Sequence, residues 1–254
     1  MSETQEQLVT RQFGPRAAEY LASAVHASGE DLQQLAAVVA GARTARLLDL
    51  GCGAGHVAFA VAPAVAEIVA YDLSADMLAV VAESAKARGH GNIVTRQGGV
   101  ERVPFADASF DIVMSRFSAH HWRSFPAGLA EARRVLKPGG RAAFVDCVAP
   151  DSAVCDSFLQ AIELLRDTSH VRDYTADEWQ RALTEAGFRP GAMTRRRLRL
   201  DFASWVARMR TPPVLVEAIR ALQQQMAADV TGHFAIEADG SFTIDTMTLE
   251  ATPA

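Results

Sequence analysis

The stretch LLDLGCGAGHVAFA, residues 47–60, joins an apolar run to three glycines at alternate positions and then to a helix-like pattern. A buried strand, a glycine-rich turn and a helix in this order are typical of nucleotide-binding sites. The glycines are Gly51, Gly53 and Gly55, and an acidic residue, Asp49, lies just before them. The stretch therefore predicts a nucleotide site, and the spacing of its glycines indicates which nucleotide it binds.

Strand-like and helix-like segments alternate around this stretch. Apolar runs at 46–51, 67–72, 92–97, 110–115 and 141–148 predict five strands, and helical patterns separate them. Repeated strand–helix units with such continuous apolar strands form a parallel sheet that is covered on both faces. The sequence therefore predicts an α/β fold with a Rossmann-like, doubly wound and mostly parallel sheet.

The two ends of the chain depart from this alternation. The first 40 residues are helical in pattern, which predicts a helical N-terminal cap at 1–45 ahead of a single domain at 46–254. Within that domain the regular alternation of strands and helices is lost after Asp151, and we expect a lid or insert region at about 151–175 and 202–232.

Two turn signals define further element boundaries. The segment PAGLAEARRVLKPGG (126–140) predicts a helix that ends at Pro138–Gly139–Gly140. The final segment FAIEADGSFTIDTMTLEA (234–251) predicts a hairpin around Asp239–Gly240. Because terminal strands of open α/β sheets often run antiparallel at the edge, we expect an antiparallel C-terminal edge strand.

Composition excludes several classes of partner. The 254 residues carry a formal net charge of −5, which gives no basic field for a nucleic acid backbone or an anionic membrane. No run approaches the roughly 20 apolar residues that span a bilayer, and the polar beginning of the chain has no secretory pattern. Three cysteines at unrelated spacings indicate neither a disulfide framework nor a metal motif, so a cytoplasmic protein is expected.

The glycine spacing argues against a dinucleotide. The dinucleotide fingerprint needs glycine at the first, third and sixth positions. Counted from Gly51, the glycines occupy the first, third and fifth positions, and His56 occupies the sixth. No Gly-Lys-Ser/Thr follows, so the turn is not a phosphate-binding P-loop either.

Two carboxylates indicate a different ligand. Asp49, beside the turn, would repel a pyrophosphate and attract an amino group. Asp72 ends the second predicted strand, where a carboxylate can accept two hydrogen bonds from a ribose diol, although aspartate is also common there simply as a turn residue. A ligand with adenosine at one end and an ammonium at the other, such as S-adenosyl-L-methionine, satisfies both constraints.

Four segments resemble, in order and spacing, the motifs of class I S-adenosylmethionine-dependent methyltransferases. They are LLDLGCGAGH, VAYDLSADML, VERVPFADASFDIVMSRFSAHHW and ARRVLKPGGRAAFVD. The similarity is greatest to the UbiE-like small-molecule branch, including its YafE type, and it covers roughly residues 10–190. It implies a methyltransferase that uses S-adenosyl-L-methionine.

The resemblance implies a set of cofactor-binding residues. It places the backbone of the glycine turn along the methionine part, Asp49 near its amino group, Asp72 on the ribose and a further residue at the end of the fourth strand. Where the family has Gly-Asp-Ala-Glu, this chain has Gly98–Gly99–Val100–Glu101, so the side chain that recognises the adenine amino group is missing. The implied cofactor residues are Asp49, Gly51, Gly53, Ala54, Asp72, Leu73, Gly99, Val100 and Ser115.

Methyl transfer requires alignment of the acceptor and, for an acidic acceptor, removal of a proton. His120 and His121 follow the fourth strand, at the sheet edge where such folds bind ligands, and histidine suits proton transfer near neutral pH. They are the candidate catalytic residues, although the simpler explanation is that one histidine packs and hydrogen-bonds under the cap while the other faces solvent. Adjacent residues do not easily ligate one metal, and no other ligand lies at metal spacing, so no metal site is predicted.

Four other residues have two interpretations each. Phe13 and Tyr20 close over the sulfonium or belong to the core. Arg116 either pairs with the cofactor carboxylate or an acidic substrate, or lies on the surface. His170 lies in the region expected to form the substrate lid, and the simpler interpretation is a solvated loop residue.

Three functions remain open from the sequence. The first is methylation of carbon or oxygen in a small molecule, with a quinol-like ring among the candidates. The second is a non-catalytic protein that binds S-adenosyl-L-methionine, and the third is an NAD(P)-dependent oxidoreductase, which His56 and Asp49 disfavour. Neither the acceptor nor the oligomeric state can be read from the chain.

Overall fold

Apolar strands form one sheet at the centre of the molecule. The computed structural model describes residues 3–22 and 29–254, and in these ranges the sheet has eight strands. They are β1 (Arg46–Leu50), β2 (Glu67–Asp72), β3 (Ile93–Gln97), β4 (Phe110–Arg116), β5 (Leu136–Ala149), β6 (Tyr174–Thr175), β7 (Phe188–Leu200) and β8 (Phe242–Pro253).

The strand order confirms the predicted fold class. It is β3–β2–β1–β4–β5–β8–β7, with the two-residue β6 beside β5. Strands β1 to β5 pair in parallel, and β8 runs antiparallel to both β5 and β7. The antiparallel C-terminal strand therefore lies one position in from the edge, which β7 occupies.

Helices cover both faces of the sheet. They are α1 (Gln5–Phe13), α2 (Ala17–Ala22), α3 (Glu30–Val38), α4 (His56–Val61), α5 (Ala75–Ala87), α6 (Phe125–Val135), α7 (Ala153–Arg166), α8 (Ala176–Glu185), α9 (Phe202–Met209), α10 (Pro213–Gln225) and α11 (Ala228–His233). Short 3₁₀ turns occupy Gly14–Arg16, Ala62–Ala64 and Ala119–His121.

The two faces of the sheet have separate cores. Leu48 and Leu50 of β1 point to the face that Leu129 of α6 and Trp179 of α8 cover. Leu47, the residue before Leu48, points to the opposite face, in the same apolar cluster as α3 and α4. Because successive strand residues alternate between faces, a strand that is apolar throughout must be covered on both sides.

The order of the strands reverses between β1 and β4. Strand β1 lies between β2 and β4, so the chain leaves β1 in one direction along the sheet and returns on its other side. A cleft opens at such a reversal at the carboxyl ends of the strands, and ligands of open α/β sheets bind there. The glycine turn follows β1 directly and therefore lies at this cleft.

Two predicted boundaries are wrong. Helix α6 ends at Val135 rather than at Pro138, because Leu136 already pairs with Phe110 of β4. The C-terminal hairpin does not form: one strand, β8, runs from Phe242, and residues 234–241 are a loop. Strands β5 and β7 flank β8 on both sides, so its backbone has no need of a hairpin partner.

The division into a cap and a domain stays a prediction. Helices α1, α2 and α3 lie in the predicted cap, but α3 packs into the main core through Leu35 and Val38. The predicted helical stretch also includes residues 23–28, which lie outside the described residues. Among the residues that the structure describes, no helix is long and apolar enough to cross a membrane.

Candidate functional site

The turn after β1 depends on glycine. Gly51 has φ 71°, and its N–H donates to the carbonyl oxygen of Tyr71 in β2 over 2.8 Å. A Cβ atom on Gly51 would collide with the side chain of Ser118, which follows β4. Any other residue at this position would therefore strain the backbone and displace Ser118.

Asp72, at the end of β2, fixes the turn from the other side. Its Oδ2 accepts a hydrogen bond from the Gly53 N–H over 2.8 Å, and its Oδ1 accepts one from the Ser74 N–H over 2.9 Å. Burial raises the pKa of the Asp72 carboxyl, while these backbone donors act to lower it. Each carboxylate oxygen keeps a second lone pair for a ligand.

Asp49 offers a buried oxygen with no partner. Its carboxyl group is fully buried, its Oδ2 accepts a hydrogen bond from the Ala58 N–H over 3.1 Å, and its Oδ1 has none. Burial raises the pKa of this carboxyl to about 7, against the lowering effect of Ala58, and nearby Asp72 raises it further. A ligand cation at Oδ1 would satisfy the orphaned atom.

A cavity of about 760 Å³, here called the glycine-turn cavity, opens over these residues. Its walls include the five predicted residues Asp49, Gly51, Gly53, Ala54 and Asp72. The structure therefore brings together residues that are up to 23 positions apart in the sequence.

Helices α1 and α2 contribute to the wall of this cavity. Phe13 and Tyr20 line it, and the edge of the Phe13 ring meets His121 with centroids 4.9 Å apart. Helix α1 is held to the loop after α7 because Gln5 donates to the Ser169 carbonyl oxygen over 2.7 Å and Gln12 donates to Asp167 over 3.2 Å. The aromatic pair thus belongs to the cavity wall.

A second cavity, the β3-side cavity, continues the first towards β3. It holds about 470 Å³, and Leu73, Gly99 and Val100 line it as predicted. A Cβ atom on Gly99 would come no closer than 3.5 Å to the carboxylates of Glu6 and Glu101, so the glycine leaves room beside two acidic groups. The two cavities share Val9, Gly51, Asp72, Ser118 and His121, and together they form one elongated site.

Ser115 lies outside these cavities. The side chain is buried within β4 and its Oγ has no hydrogen-bond partner, whereas the next three residues line the glycine-turn cavity. Strand β4 continues to Arg116, so the cleft begins one residue later than the sequence predicted. Arg116, Phe117 and Ser118 line the cavity at this point, and the contact of Ser115 with the cofactor stays a prediction.

A third cavity, the β5-side cavity, extends over about 610 Å³ from the glycine-turn cavity towards β5 and β7. The two cavities share Phe13, Tyr20, Phe117 and His121. Its further walls mix apolar side chains with acidic and basic ones, including Cys147, Glu163, Arg166, Asp173, Trp205 and Arg208.

The two candidate histidines differ in environment. His120 Nδ1 lies 2.5 Å from Asp146 Oδ1. Burial lowers the pKa of His120, but the carboxylate of Asp146 outweighs it and raises the value to about 9. His121 has no such partner at hydrogen-bond distance, and burial together with the charge on His120 lowers its pKa.

His121 occupies the junction of the site. It lines the glycine-turn, β3-side and β5-side cavities, whereas His120 lines only the β5-side cavity among these three. Its Nδ1 lies 3.1 Å from the Ser169 carbonyl oxygen, so this nitrogen is the donor, and its Nε2 lies 4.0 Å from Asp167 Oδ2. The lowered pKa of His121 favours the neutral imidazole, in which Nε2 can accept a proton.

His170 and Arg116 are both buried. His170, expected in solvent, is 7% exposed and its Nε2 lies 2.9 Å from Gln160 Oε1, so that prediction is wrong. Arg116 lines the glycine-turn cavity and forms an ion pair with Asp31 of α3 over 2.5 Å, so the surface interpretation is also wrong. Arg116 is the last residue of β4, and His170 lies in the loop between α7 and β6.

The β5-side residues were missed by the sequence reasoning. Cys147 and Asp173 carry no local motif, and Arg166 and Trp205 are spaced like ordinary helix residues. One signal was present: Asp146 and Cys147 lie near the carboxyl end of a predicted parallel strand, where ligands of this fold class bind.

Three comparisons identify relatives of the chain. Residues 48–144 match the family model described as "Methyltransferase domain". The chain is 50% identical over 204 residues to the uncharacterized protein YafE of Escherichia coli, an alignment that covers 80% of this chain and 99% of that protein. It is 36% identical over 200 residues to the uncharacterized methyltransferase YcgJ of Bacillus subtilis, with 79% of each covered.

Structure and a shorter alignment agree with this result. The crystal structure of YcgJ superposes with a TM-score of 0.85 at 30% identity, covering 89% of this chain and 99% of that one. A demethylmenaquinone methyltransferase of Chlorobaculum parvum is 35% identical over 117 residues, which is 46% of each protein. The chain therefore belongs to the class I S-adenosylmethionine-dependent methyltransferases and is an enzyme whose cofactor is S-adenosyl-L-methionine.

Proposed function

We propose that this enzyme methylates carbon or oxygen in a small molecule bound in the β5-side cavity. The observation that carries the proposal is the position of His121, which lines that cavity and both cavities that fit the cofactor. A donor and an acceptor bound on the two sides of His121 would meet beside a neutral imidazole. We also propose a cytoplasmic location, which three unpaired cysteines support.

The chain's own residues fit the cofactor. The unpartnered Oδ1 of Asp49 suits the amino group of the methionine part, and the backbone of Gly51, Gly53 and Ala54 would lie along it. Asp72 borders both cofactor cavities, which suits the ribose in the middle of the ligand. Leu73, Gly99 and Val100 would then flank the adenine in the β3-side cavity.

The acceptor cavity suits a ring with an acidic hydroxyl group or carbon. Phe117, Leu198 and Trp205 supply apolar walls for the ring. Bound S-adenosyl-L-methionine supplies an activated methyl group, so the protein need only align the acceptor and remove its proton. His121 Nε2 is the proposed proton acceptor, with Phe13 packed against its ring. The demethylmenaquinone methyltransferase activity of the Chlorobaculum relative makes a quinol-like ring the first candidate.

The test is a methyl-transfer assay with the purified enzyme, S-adenosyl-L-methionine and a panel of reduced naphthoquinol, catechol and aliphatic acceptors. We expect a methylated ring product, detected by mass spectrometry, together with S-adenosylhomocysteine. Methylation of aliphatic acceptors alone would contradict the ring assignment. Binding of S-adenosylhomocysteine without transfer to any acceptor would contradict the catalytic role of the β5-side cavity.

A further inference from the structure

Four potential metal ligands meet at one side of the β5-side cavity, although they come from three separate segments. His120 belongs to the 3₁₀ turn after β4, Asp146 and Cys147 to β5, and Asp173 to the residue before β6. One ligand atom of each lies within 4.8 Å of a ligand atom of each of the others. Both carboxylates are 2% exposed, so the cluster is enclosed by protein.

The two carboxylates of this cluster differ in how they are satisfied. Asp146 accepts hydrogen bonds at Oδ2 from the Ala119 N–H over 2.8 Å and at Oδ1 from the Cys147 N–H over 2.9 Å. Asp173, by contrast, has a buried Oδ2 without a hydrogen-bond partner. A buried carboxylate oxygen that nothing satisfies is costly, and a bound cation removes that cost.

The neighbouring arginines are occupied elsewhere. Arg166 donates from Nε to the Trp205 carbonyl oxygen over 3.0 Å, and its Nη1 lies 3.4 Å from Glu163. Arg172, adjacent to Asp173, pairs with Asp156 over 3.1 Å and with Glu178 over 3.5 Å. The ion pairs of Arg166 and Arg172 therefore do not include Asp173.

We propose that His120, Asp146, Cys147 and Asp173 bind a divalent transition-metal ion of the zinc class. An imidazole, a thiolate and two carboxylates are the mixed nitrogen, sulfur and oxygen donors that zinc accepts, whereas magnesium and calcium select oxygen. Zinc bond lengths of about 2.0–2.3 Å place tetrahedral ligand atoms roughly 3.5 Å apart. Asp146 and Cys147 are adjacent in sequence, which disfavours them as a ligand pair, but in the structure their ligand atoms lie within 4.8 Å of each other and of those of His120 and Asp173. Side-chain rotation would close that spacing, and the ion would replace the proton between His120 and Asp146.

The ion would face the acceptor. His120, Cys147 and Asp173 line the β5-side cavity, so an ion held between them borders the space that the proposed substrate occupies. This consequence rests on the proposed function: an acceptor oxygen would bind the ion as a fifth ligand, added to the four from the protein, and the acceptor would be oriented towards His121. The metal site itself does not depend on methyl transfer.

The test is titration of the metal-free full chain with cobalt(II), which reports a thiolate ligand through a charge-transfer absorption band. We expect one equivalent of cobalt, the thiolate band, and displacement of cobalt by zinc. Cys147→Ser should abolish the band, and Asp173→Asn should weaken binding at least tenfold. Cys155→Ala, which changes a buried cysteine of α7 outside the cluster, should leave both unchanged.

The wild-type titration decides the proposal even if a variant fails to fold. Absence of a stoichiometric thiolate band in the folded wild type, or a band that persists in Cys147→Ser, would overturn the metal site. Cobalt is titrated without S-adenosyl-L-methionine, and S-adenosylhomocysteine is titrated in the presence of a chelator. A chain that binds S-adenosylhomocysteine but no metal overturns the metal site alone, and the reverse result overturns the proposed cofactor placement alone.

Discussion

The cofactor side and the acceptor side of the site are built in different ways. Backbone groups of one contiguous turn, fixed by Gly51 and Asp72, form most of the cofactor side. Side chains from helices α7 and α9, from strands β5, β7 and β8 and from the segment after β4 form most of the acceptor side. A site made of backbone tolerates little change in sequence, whereas a site made of distant side chains can be altered one residue at a time.

The charges of the two sides differ as well. The cofactor side carries the carboxylates of Asp49 and Asp72, and the arginine that lines the glycine-turn cavity, Arg116, is paired with Asp31 of α3. The β5-side cavity carries both signs, with Glu163 and Asp173 opposed by Arg166. His121 separates the two sides, so variants on either side of it should produce different kinetic signatures.

The largest effect is expected from Asp72→Ala. This change removes two acceptors for the ribose and the hydrogen bond that holds the Gly53 N–H. Two charge-assisted hydrogen bonds are worth about 1.5–3 kcal/mol each, so S-adenosylhomocysteine should bind at least 100-fold more weakly by calorimetry. Glu83→Ala, in the exposed face of α5, is the control and should bind as the wild type does. Unchanged affinity in Asp72→Ala would remove the ribose assignment.

A second large effect is expected from His121→Ala, this time on turnover. Loss of a general base typically costs about 10²–10⁴ in rate, so kcat/KM should fall at least 100-fold while the affinity for S-adenosylhomocysteine changes little. The matched control is His233→Ala, whose imidazole lies 3.2 Å from Asp245 outside these cavities. Wild-type kcat/KM in His121→Ala would show that this histidine only packs against Phe13.

The fold and the cofactor side were largely predictable because their signals are local. Apolar runs fix the strands, and glycine at positive φ in the turn can be inferred from spacing alone. Leu136 shows where local signals are insufficient. Helix and strand patterns meet at this residue, and its pairing with Phe110 in β4 decides where the helix ends. The missing hairpin before β8 is a second example. The antiparallel partners of β8, in β5 and β7, lie more than 40 residues away in sequence, so no local pattern predicts them.

The acceptor side could not be predicted, for a related reason. His120, Asp146 and Asp173 converge only after three segments have folded over the same sheet edge. No sequence period connects them, and His170 looked like a loop residue because the contact with Gln160 comes from tertiary packing.

A smaller effect is expected on the free energy of unfolding when alanine replaces glycine at two positions with positive φ. Gly51→Ala and Gly41→Ala both place alanine at positive φ, which costs about 1–2 kcal/mol. Only Gly51→Ala also forces a Cβ atom against Ser118, whereas a Cβ at Gly41 meets nothing within 4 Å. Urea unfolding should show Gly51→Ala less stable than Gly41→Ala by roughly 1–3 kcal/mol. Equal losses would show that the turn has more room than the structure indicates.

The smallest effect is a pH dependence from Asp49. Its pKa in the free protein is raised from 3.8 to about 7, so the group disfavours folding increasingly as pH rises through that window. The ammonium of the cofactor requires the carboxylate, so affinity for S-adenosylhomocysteine should rise about tenfold per unit from pH 5.5 to 7 and then level off. In Asp49→Asn this dependence should flatten. Calorimetry at four pH values checks it, and a wild-type affinity independent of pH would contradict the ammonium contact.

The most direct test of the central claim is a crystal structure of the enzyme with S-adenosylhomocysteine. We expect the ribose diol within hydrogen-bond distance of Asp72, the adenine in the β3-side cavity, and the sulfur beside His121 and facing the β5-side cavity. A ligand whose sulfur faces away from the β5-side cavity, or whose ribose lies apart from Asp72, would contradict the division of the site into a backbone-built cofactor side and a side-chain-built acceptor side.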